Sequence, residues 1–576
     1  MTKTRIKWRK ILAFIAPYLA IVLLTSFIIS NQLIHHATFI TADRYFHFSR
    51  FYDTAEQIRT GNYSYFQNNY TSLQSGRIIN ALYGPFFAYL NGFIVLLCGN
   101  WFTYQILMDY VVYLIAGMAI YRMSKKVSVP TAASILLALI YLTVGIMPGW
   151  IRADNFMAWG AALAPYVIMC GIDMIRDTKN PVHWVTLMVI MSILAQIHML
   201  STMILAISLV PFALYALITA INKKQVIINF IKAVGGTLIL TANIWGGFLL
   251  LYGTNRLALP KSFRLMSGAL RLSYKGSEHG QVPLLVLILL IAQVIYVLFH
   301  LKENKLNTFV TLEGSIILLI SSKLMPWRII QHLLPTLGRS FQFPYRLMVA
   351  GYPLLFLGIG LTILELRKYK LSQFISYIGL IAVLCQTTYF TYKTNVELTK
   401  IYNNSSRVAV LTTYYQITNH RLDIREATKN HDMGDLFKKI NRSEPDYLPI
   451  YGKSISPDMV NLLYRSDIID QSINYHYAVH GSTLYLKWHS RRNDKVRLPL
   501  VMYHQSRLKV NGNIIGLPHL SSIGSPTVKE KQGINVASLR FEVPSWFWLL
   551  MSISLIGWFL LIVLGIRDYI KRRTLE

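Results

Sequence analysis

The stretch that decides the fold of this chain runs from Thr41 to Tyr89: TADRYFHFSRFYDTAEQIRTGNYSYFQNNYTSLQSGRIINALYGPFFAY. It follows the first long apolar run and mixes acidic and basic side chains more densely than any other segment beside such a run. On a helix, Asp43, His47 and Arg50 would share one face, because residues three and four apart are neighbours there. We therefore expect this loop to hold a catalytic carboxylate at the outer membrane surface.

The composition is that of a polytopic membrane protein. Of the 576 residues, 53% are hydrophobic and only 14% are charged, whereas a soluble protein carries about 25% charged residues. The net charge is +31, which in a soluble protein would suggest nucleic acid as a partner. Because no basic patch lies on a recognisable soluble module, we expect membrane lipids and no nucleic acid as partners, with the charge reflecting positive-inside topology.

Twelve apolar segments are long enough to cross a bilayer as helices. The first, Ile11 to Ser30, lacks a small-residue cleavage site and is expected to remain as a helix. The twelve predicted spans are residues 11–30, 100–121, 129–147, 156–175, 181–197, 199–221, 227–252, 283–301, 307–324, 346–366, 371–392 and 546–566.

The orientation depends on the apolar segment Tyr83 to Cys98. If it crossed the membrane, Arg122, Lys125 and Lys126 would face outside and every later loop would invert. If it lies flat on the surface, the short basic loops all fall on one side, as the positive-inside rule requires. We therefore predict an interfacial helix here, with both termini on the cytoplasmic side of the plasma membrane.

This topology predicts three regions: a transmembrane domain (1–392) with its first outer loop at 31–99, an extracytoplasmic domain (393–544), and a final span with a basic tail (545–576). The extracytoplasmic domain is expected to be helical first and β-sandwich-like afterwards. In its second half Leu484, Leu486 and Trp488 alternate with polar residues, which indicates a strand. Asn511-Gly512 between apolar residues is a strong hairpin signal.

Asp43 is the first candidate catalytic residue, since a carboxylate here could remove the proton of an acceptor hydroxyl. With His47 one turn away it could instead bind a divalent cation, or simply form an ion pair with Arg44 or Arg50. Asp154, in a second outer loop, is the natural second acid, although a solvated acid beside Arg152 is about as plausible a reading.

Basic residues outside the membrane are informative because the positive-inside rule disfavours them there. Guanidinium groups bind phosphate in a bidentate manner, so these side chains predict a site for the donor's phosphate; general attraction to anionic lipid is the simpler alternative. The loop after Tyr252 contains Arg256, Lys261, Arg264, Arg271 and Lys275, and the loop before Leu347 contains Arg328, His332, Arg339 and Arg346. The predicted donor-phosphate ligands among them are Lys261, Arg264, Arg271, Arg339 and Arg346.

Two ionisable residues lie within or between apolar runs. His198 sits at a tight turn between two spans and Glu313 lies inside a span, where an ionisable group is a candidate functional residue by default. Helix capping by His198 and pairing of Glu313 with another helix are the structural alternatives. The motifs G-x-S-x-G, G-x-G-x-x-G and H-E-x-x-H are absent, so serine-hydrolase, dinucleotide-binding and zincin chemistry are not indicated.

The order of several segments resembles a known superfamily. A single apolar helix, an outer loop with Asp43, and the interfacial segment YGPFF at 83–87 are similar to the GT-C glycosyltransferases. More narrowly, DRYFHFSR at 43–50, QFPYR at 342–346 and LPLVMYHQSRLKVNGN at 498–513 resemble the bacterial YfhO-type and 6-pyruvoyl-tetrahydropterin-synthase-related membrane proteins. The resemblance covers most of the chain, and the pterin label implies no pterin chemistry.

The resemblance implies an inverting transfer of a sugar from a polyprenyl-phosphate donor to a cell-envelope acceptor (teichoic or lipoteichoic acid, polysaccharide or lipid). Asp43 would match the catalytic acid of the first loop, Asp154 a second acid, and Arg339 and Arg346 the donor-phosphate ligands. Arg44 follows Asp43 where many members have an acid. The second outer loop also lacks a D-x-D sequence. Both departures favour a site without a metal; if a divalent cation binds, Asp43 and Asp154 would hold it. The alternatives are a lipid-linked sugar transporter and a non-catalytic assembly protein.

Overall fold

The computed structural model describes residues 2–277, 280–404, 409–410, 415–416, 421–443, 445–516 and 518–573. Its α-helices are Thr2–Ile28, Ser30–Ile34, Ala42–Thr60, Pro85–Cys98, Trp101–Lys126, Thr131–Leu142, Pro148–Ala153, Met157–Arg176, Trp184–Ile197, Met199–Ser208, Val210–Thr219, Lys223–Leu240, Ala242–Thr254, Leu284–Phe299, Lys305–Ser321, Trp327–Leu333, Leu337–Ser340, Met348–Glu365, Lys370–Asn404, Arg421–Ala427, Asp435–Lys439, Pro457–Tyr464 and Ser545–Arg573.

Within the described residues, six helical segments are long and apolar enough to cross a membrane, as expected of a helical membrane protein. They are Trp101–Lys126, Met157–Arg176, Met199–Thr219, Pro344–Lys368, Lys370–Asn403 and Ser545–Lys571. A seventh span is formed if Lys223–Leu240 and Ala242–Thr254, which meet at a 64° bend, count as one. Shorter apolar helices cover parts of most other predicted segments, and the count of twelve spans stays a prediction.

The described chain divides into two compact units that interleave in sequence. The first unit consists of residues 1–44, 102–233 and 262–410, and the second of residues 45–101, 234–261 and 411–576. The extracytoplasmic boundaries at 393 and 544 and the sidedness of the membrane remain predictions.

The core of the first unit is the helix Met348–Glu365. Every residue from Met348 to Ile363 is buried, as expected of a helix that is apolar on all sides. It packs against Lys305–Ser321, where polar groups bond to each other: Gln293 Nε2 donates to Asn307 Oδ1 at 3.0 Å, and Asn307 Nδ2 to Thr362 Oγ1 at 3.0 Å. These bonds satisfy groups that lipid could not.

The first unit also contains two short parallel strand pairs. Ile40–Thr41 pairs with Ala409–Val410, and Arg271–Ser273 pairs with Gln281–Pro283. They fix the segment before Asp43 and the basic loop before Leu284.

The second unit contains the β-rich region. A five-stranded sheet has the order Asn513–Ile515, Ser506–Val510, Gly533–Phe541, Thr483–Ser490, His476–His480, and a three-stranded sheet the order His519–Leu520, Pro526–Lys529, Lys495–Arg497. A further pair joins Tyr415–Gln416 to Ile440–Asn441. The apolar side chains of the two larger sheets share one core, with Leu484, Leu486, Leu508 and Val528 all buried.

Several sequence expectations are confirmed at the level of elements. The alternation at Leu484, Leu486 and Trp488 lies in the strand Thr483–Ser490, with all three side chains buried. Asn511 and Gly512 have φ of 50° and 87° and connect two antiparallel strands, the backbone that an Asn-Gly hairpin turn requires. The β-rich region near the C-terminus of a helical membrane protein is therefore as expected.

Candidate active site

Asp43 lies in the first turn of the helix Ala42–Thr60, immediately after the strand Ile40–Thr41. A carboxylate in the first turn is favoured by the partial positive charge of the helix N-terminus. The side chain is exposed. The expected helix is observed, with the Asp43 side chain at its exposed N-terminal end.

Asp43 lines a cavity of about 490 Å³. Arg152, Lys275, Gln281 and Glu397 line the same cavity. It therefore combines two carboxylates, two cations and an amide within a space large enough for a small-molecule ligand. The cavity thus contains both a carboxylate that can accept a proton and cations that can bind an anionic group.

Two helices and a pair of parallel strands bring these side chains to the cavity. Arg152 lies in the short helix Pro148–Ala153, and Glu397 lies on the helix Lys370–Asn404. Lys275 follows the strand Arg271–Ser273, whose parallel partner begins with Gln281. Among the described residues, Lys275 has no carboxylate within ion-pair distance, so its ammonium group is available to an anion.

The QFPYR segment connects Arg346 to the surroundings of Asp43. The buried Tyr345 interacts electrostatically with both Asp43 and Arg346. Arg346 donates from Nη1 to the Phe341 carbonyl at 3.0 Å and from Nη2 to Gln342 Oε1 at 2.9 Å. Two of its donor atoms are thus used within its own segment, which fixes the guanidinium in position.

Asp154 forms a buried ion pair with Arg44. Arg44 Nη2 lies 2.7 Å from Asp154 Oδ1 and also donates to the carbonyls of Trp150 and Ile151 at 3.1 and 3.0 Å. Burial raises the pKa of Asp154, while the Arg44 charge and hydrogen bond lower it. The expectation of a solvated acid beside Arg152 is wrong, because Asp154 is buried and pairs with Arg44; its role as a second site acid stays a prediction.

A third buried carboxylate belongs to the same group. Asp109, on Trp101–Lys126, is fully buried and interacts electrostatically with Arg44 and Asp154. Arg44 therefore serves two buried acids at once. Asp109 is not among the predicted site residues; it lies inside an apolar run, 65 positions from Arg44, so the sequence does not show this contact.

His47 and Arg50 belong to the second unit and form a buried cluster there. Arg50 Nη1 lies 3.1 Å from His47 Nδ1; a guanidinium only donates, so His47 accepts at Nδ1. Arg50 also donates from Nε to Asn80 Oδ1 at 3.0 Å and from Nη2 to the Tyr83 carbonyl, and its guanidinium lies 4.4 Å from the centre of the Tyr83 ring. This cluster fastens the helix to residues 80–83.

Asp53 is a buried acid that the sequence did not single out. It accepts hydrogen bonds from Gln57 Nε2 at 2.7 Å and from the Tyr70 amide at 2.8 Å. Burial raises its pKa from 3.8 to about 7, against the opposing effect of these hydrogen bonds.

The other predicted phosphate ligands are exposed. Arg264 and Arg339 lie on adjoining segments, because the Phe263 amide donates to the Gly338 carbonyl at 2.8 Å. Arg271 lies in the strand Arg271–Ser273 and His332 at the end of Trp327–Leu333. Lys261 lies in the second unit, 3.3 Å from Asp458 Oδ1.

His198 and Glu313 take different settings. His198 Nδ1 accepts from the Ser201 amide at 3.2 Å and so caps the helix Met199–Ser208; burial and the Arg346 charge lower its pKa to about 3. Glu313 lines an otherwise apolar groove of about 410 Å³ with Ser208, Phe309 and Ile316 among its neighbours.

No group of three or more His, Cys, Asp and Glu side chains within the described part of the chain is arranged to hold a metal ion. Arg152 and Glu397 are not among the predicted site residues, whereas Lys275 belongs to the basic loop whose cations are predicted to bind phosphate. Arg152 and Lys275 stood in loops already marked as outward-facing, and Glu397 is an acid shortly after the end of an apolar run. Their position relative to the predicted spans was therefore the available signal in the sequence. That position does not show which loops come together in the folded protein.

No family model matches this sequence, and no curated protein matches it. The apo oligosaccharyltransferase of Archaeoglobus fulgidus is similar over 68% of this chain and 59% of its own, with 12% identity and a TM-score of 0.38. The arabinosyltransferase EmbB of Mycobacterium smegmatis is similar over 91% of this chain and 63% of its own, with 8% identity and a TM-score of 0.40. The chain thus spans about three fifths of the length of each, and likeness this low carries no argument about its function.

Proposed function

We propose that this protein is a membrane glycosyltransferase that moves a sugar from a polyprenyl-phosphate-linked donor to a cell-envelope acceptor on the outer face of the membrane. The observation that carries the proposal is the cavity in which Asp43 lies together with Arg152 and Lys275. A carboxylate for the acceptor's proton and cations for the donor's phosphate are the two functions that this transfer needs.

Asp43 acts as the general base. It takes the proton of the acceptor hydroxyl as the oxygen attacks the anomeric carbon, the new C–O bond forms, and the bond from that carbon to the phosphate oxygen breaks. In-line attack inverts the configuration at the carbon. A positioned base contributes about 10²–10⁴-fold to such a step, and orientation of the two reactants supplies more.

The phosphate leaves with the bonding electron pair, so negative charge grows on its oxygens. Lys275 and Arg152 lie where they can stabilise that charge, and Arg346 adds a fixed positive charge beside Tyr345. Asp154 then supports this wall of the cavity through Arg44, since the loop carbonyls of Trp150 and Ile151 accept from the same guanidinium.

The donor's lipid tail needs an apolar groove. The groove lined by Ile204, Phe309 and Ile316 has a volume of about 410 Å³ and lies among apolar helices of the same unit. Glu313 is the one charged residue among the described residues that line it. This groove supports a lipid-linked donor over a soluble nucleotide sugar.

The test is transfer of radiolabelled sugar from polyprenyl-phosphate donors by the purified protein in detergent. We expect Asp43→Asn to lower the rate by about 10²-fold or more, because the amide keeps the shape and removes the base. Lys275→Ala should lower the rate less. Asp458→Asn, an exposed acid elsewhere, should leave the rate unchanged, and EDTA separates a metal-dependent site from a metal-free one.

Equal transfer by wild-type protein and Asp43→Asn would remove Asp43 from the mechanism. No transfer from any donor, together with movement of labelled lipid-linked sugar across proteoliposomes, would favour the transporter instead. A transporter should place its charged groups near mid-membrane in broken helix pairs, whereas Asp43 and Arg152 of this cavity lie near helix ends and Lys275 lies in a loop.

A further inference from the structure

A second cavity lies within the β-rich region of the second unit. Its volume is about 680 Å³, within the range of about 300–1,000 Å³ that is typical of ligand sites. The lining residues come from both sheets and from the Asn-Gly hairpin: Lys495, Arg497, Val510, Asn511, Asn513, Ile515, Pro518, His519, Thr527, Val528, Lys529 and Lys531. We call it the basic cleft.

The basic cleft carries four cations and no carboxylate among its described lining residues. The lysines, Lys495, Lys529 and Lys531, are exposed, and no described acid lies within ion-pair distance of them. No described acid neutralises the three lysine charges, so the cleft is a concave positive surface that attracts anions.

The strand register places two of these cations directly opposite each other. Lys495 pairs with Lys529 in the antiparallel ladder of Lys495–Arg497 and Pro526–Lys529. Like charges at such positions are destabilising. Val496 and Val528, on the opposite face, pack on the core of the sheets, so the fold itself does not require a cation at either lysine position. An anion bound between the two ammonium groups would relieve the repulsion.

Arg497 is the fixed member of the cleft. Its Nη1 lies 3.1 Å from Oδ1 of the buried Asp467, which orients the guanidinium. It shares a strand face with Lys495, two positions away. The cleft thus contains one oriented planar donor beside two mobile point charges, an arrangement suited to phosphate or carboxylate.

The remaining wall is suited to a polyol. Asn511, Asn513 and Thr527 offer amide and hydroxyl groups for sugar or polyol hydroxyls, and Ile515 and Pro518 offer apolar surface for the carbon skeleton. A cavity of this volume exceeds the needs of a single inorganic anion. Both features favour several linked units of an anionic chain.

We propose that the basic cleft binds a negatively charged segment of a cell-envelope glycan or polyol-phosphate chain, the acceptor of the reaction. The identification of this chain as the acceptor rests on the proposed function, whereas the binding of an anionic chain does not. Lys495 and Lys529 hold the anionic group between them, and Arg497 sets its orientation.

The experiment measures binding by the full-length protein in detergent, by calorimetry, at about 0.15 M salt where surface attraction is largely screened. The probes are an oligomer of glycerol phosphate, an oligogalacturonate and a neutral dextran oligomer of matched length. The test variant is Lys495→Glu/Lys529→Glu, which keeps a like-charge pair at the same ladder position. The control, Lys487→Glu/Lys509→Glu, makes the same change in net charge at exposed strand positions outside the cleft.

We expect the wild-type protein to bind an anionic oligomer and not dextran, with the stronger of the two anionic probes identifying phosphate or carboxylate. The cleft variant should bind at least about tenfold more weakly, and the control variant as the wild-type does. Equal loss in both variants, binding of dextran, or full displacement of the oligomer by vesicles of anionic lipid would each overturn the proposal.

The same assay separates this proposal from that of the active site. Asp43→Asn should bind the oligomer with unchanged affinity even though its transfer rate is lowered by about 10²-fold or more. Binding by the cleft without any transferase activity would support the cleft proposal and contradict the proposed glycosyltransferase function. Transfer without binding at the cleft would support the glycosyltransferase function and contradict the cleft proposal.

Discussion

At the scale of single residues, the buried ion pair of Arg44 and Asp154 is the interaction whose loss should destabilise the protein most. Arg44→Met leaves Asp154 and Asp109 without their cation in a buried setting, and we expect a loss of about 3–5 kcal/mol in the free energy of unfolding. Adding Asp154→Asn should recover part of that loss, because one uncompensated charge is then gone and asparagine tolerates the positive φ of 50° at this position.

The measurement is denaturant unfolding in detergent for both variants and for an exposed comparison. Arg507 Nε lies 2.9 Å from Glu542 Oε2, and more than half of each side chain is exposed. Arg507→Met should therefore cost no more than about 1 kcal/mol. If Arg44→Met were no more destabilising than Arg507→Met, the buried pair would have no structural role.

Asp53 predicts a pH dependence of stability with a definite sign. Its pKa is about 7 in the folded protein, raised by burial from 3.8, so the unfolded chain loses this proton at lower pH than the folded one. The unfolded state then binds fewer protons between these values, and stability falls as pH rises from about 4 to about 7. One pKa unit corresponds to about 1.36 kcal/mol, so the fall attributable to Asp53 is a few kcal/mol.

Asp53→Asn should flatten this fall, whatever its effect on the absolute stability. Thermal unfolding across pH 4–8 in detergent measures the slope, and the exposed Asp458→Asn should retain the wild-type slope. A variant with the wild-type slope would show that Asp53 ionises normally in the folded protein.

These residues also show what the sequence could reveal. Asp43 could be identified because a dense mixture of acidic and basic residues after an apolar run is visible in the sequence itself. The partner of Asp154 was not readable, because Arg44 is 110 positions away and is brought there by packing. Burial of Asp53 by Gln57 and the Tyr70 amide is likewise a property of the folded surroundings. Sequence thus gives candidate groups, while their charge states come from tertiary contacts.

At the scale of elements, local signals were reliable wherever the backbone itself sets the structure. The hairpin at Asn511-Gly512 needs two residues with positive φ, and those two residue types tolerate it. The 64° bend between Lys223–Leu240 and Ala242–Thr254 follows no glycine or proline at the break, so it could not be read from the apolar run. Helix packing, too, depends on which small residues face a neighbour.

Gly160 provides the test of such packing. A Cβ added to Gly160 on Met157–Arg176 would lie 2.1 Å from Ser201 Oγ and 2.4 Å from Ser201 Cβ, on the helix Met199–Ser208. We expect Gly160→Ala to cost about 1–3 kcal/mol by overpacking, since small residues permit close approach of membrane helices. Gly379 in Lys370–Asn404 meets nothing within 4 Å, so Gly379→Ala should be neutral or stabilising. Thermal stability in detergent distinguishes the two, and equal shifts would argue against close packing at Gly160.

At the scale of the whole molecule, the compact units do not follow sequence order. The unit that holds the β-rich region also gathers residues 45–101 and 234–261. Aromatic packing shows why: the ring of Phe66 lies 4.8 Å from that of Phe541 and 4.7 Å from that of Phe547. Contacts between such distant segments leave no periodic signal in the sequence, so segment order alone suggested a division at the ends of apolar runs.

The last prediction concerns the orientation of the whole chain, which decides whether Asp43 meets its donor on the outer face. The helix Pro85–Cys98 has 14 residues, about 21 Å at 1.5 Å per residue, which is short of a hydrocarbon core of about 30 Å. A helix of this length fits the interface better than a span, and that choice places the loop at Lys224 inside and the strand at Lys487 outside.

In a background where Cys98, Cys170 and Cys385 are replaced by alanine, a membrane-impermeant maleimide applied to intact cells should label Lys487→Cys and spare Lys224→Cys until the cells are opened. Both side chains are exposed, so a difference in labelling reports sidedness and not burial. Labelling of Lys224→Cys in intact cells would mean that Pro85–Cys98 crosses the membrane, and the later loops, with the cations of the proposed site, would then lie on the cytoplasmic side.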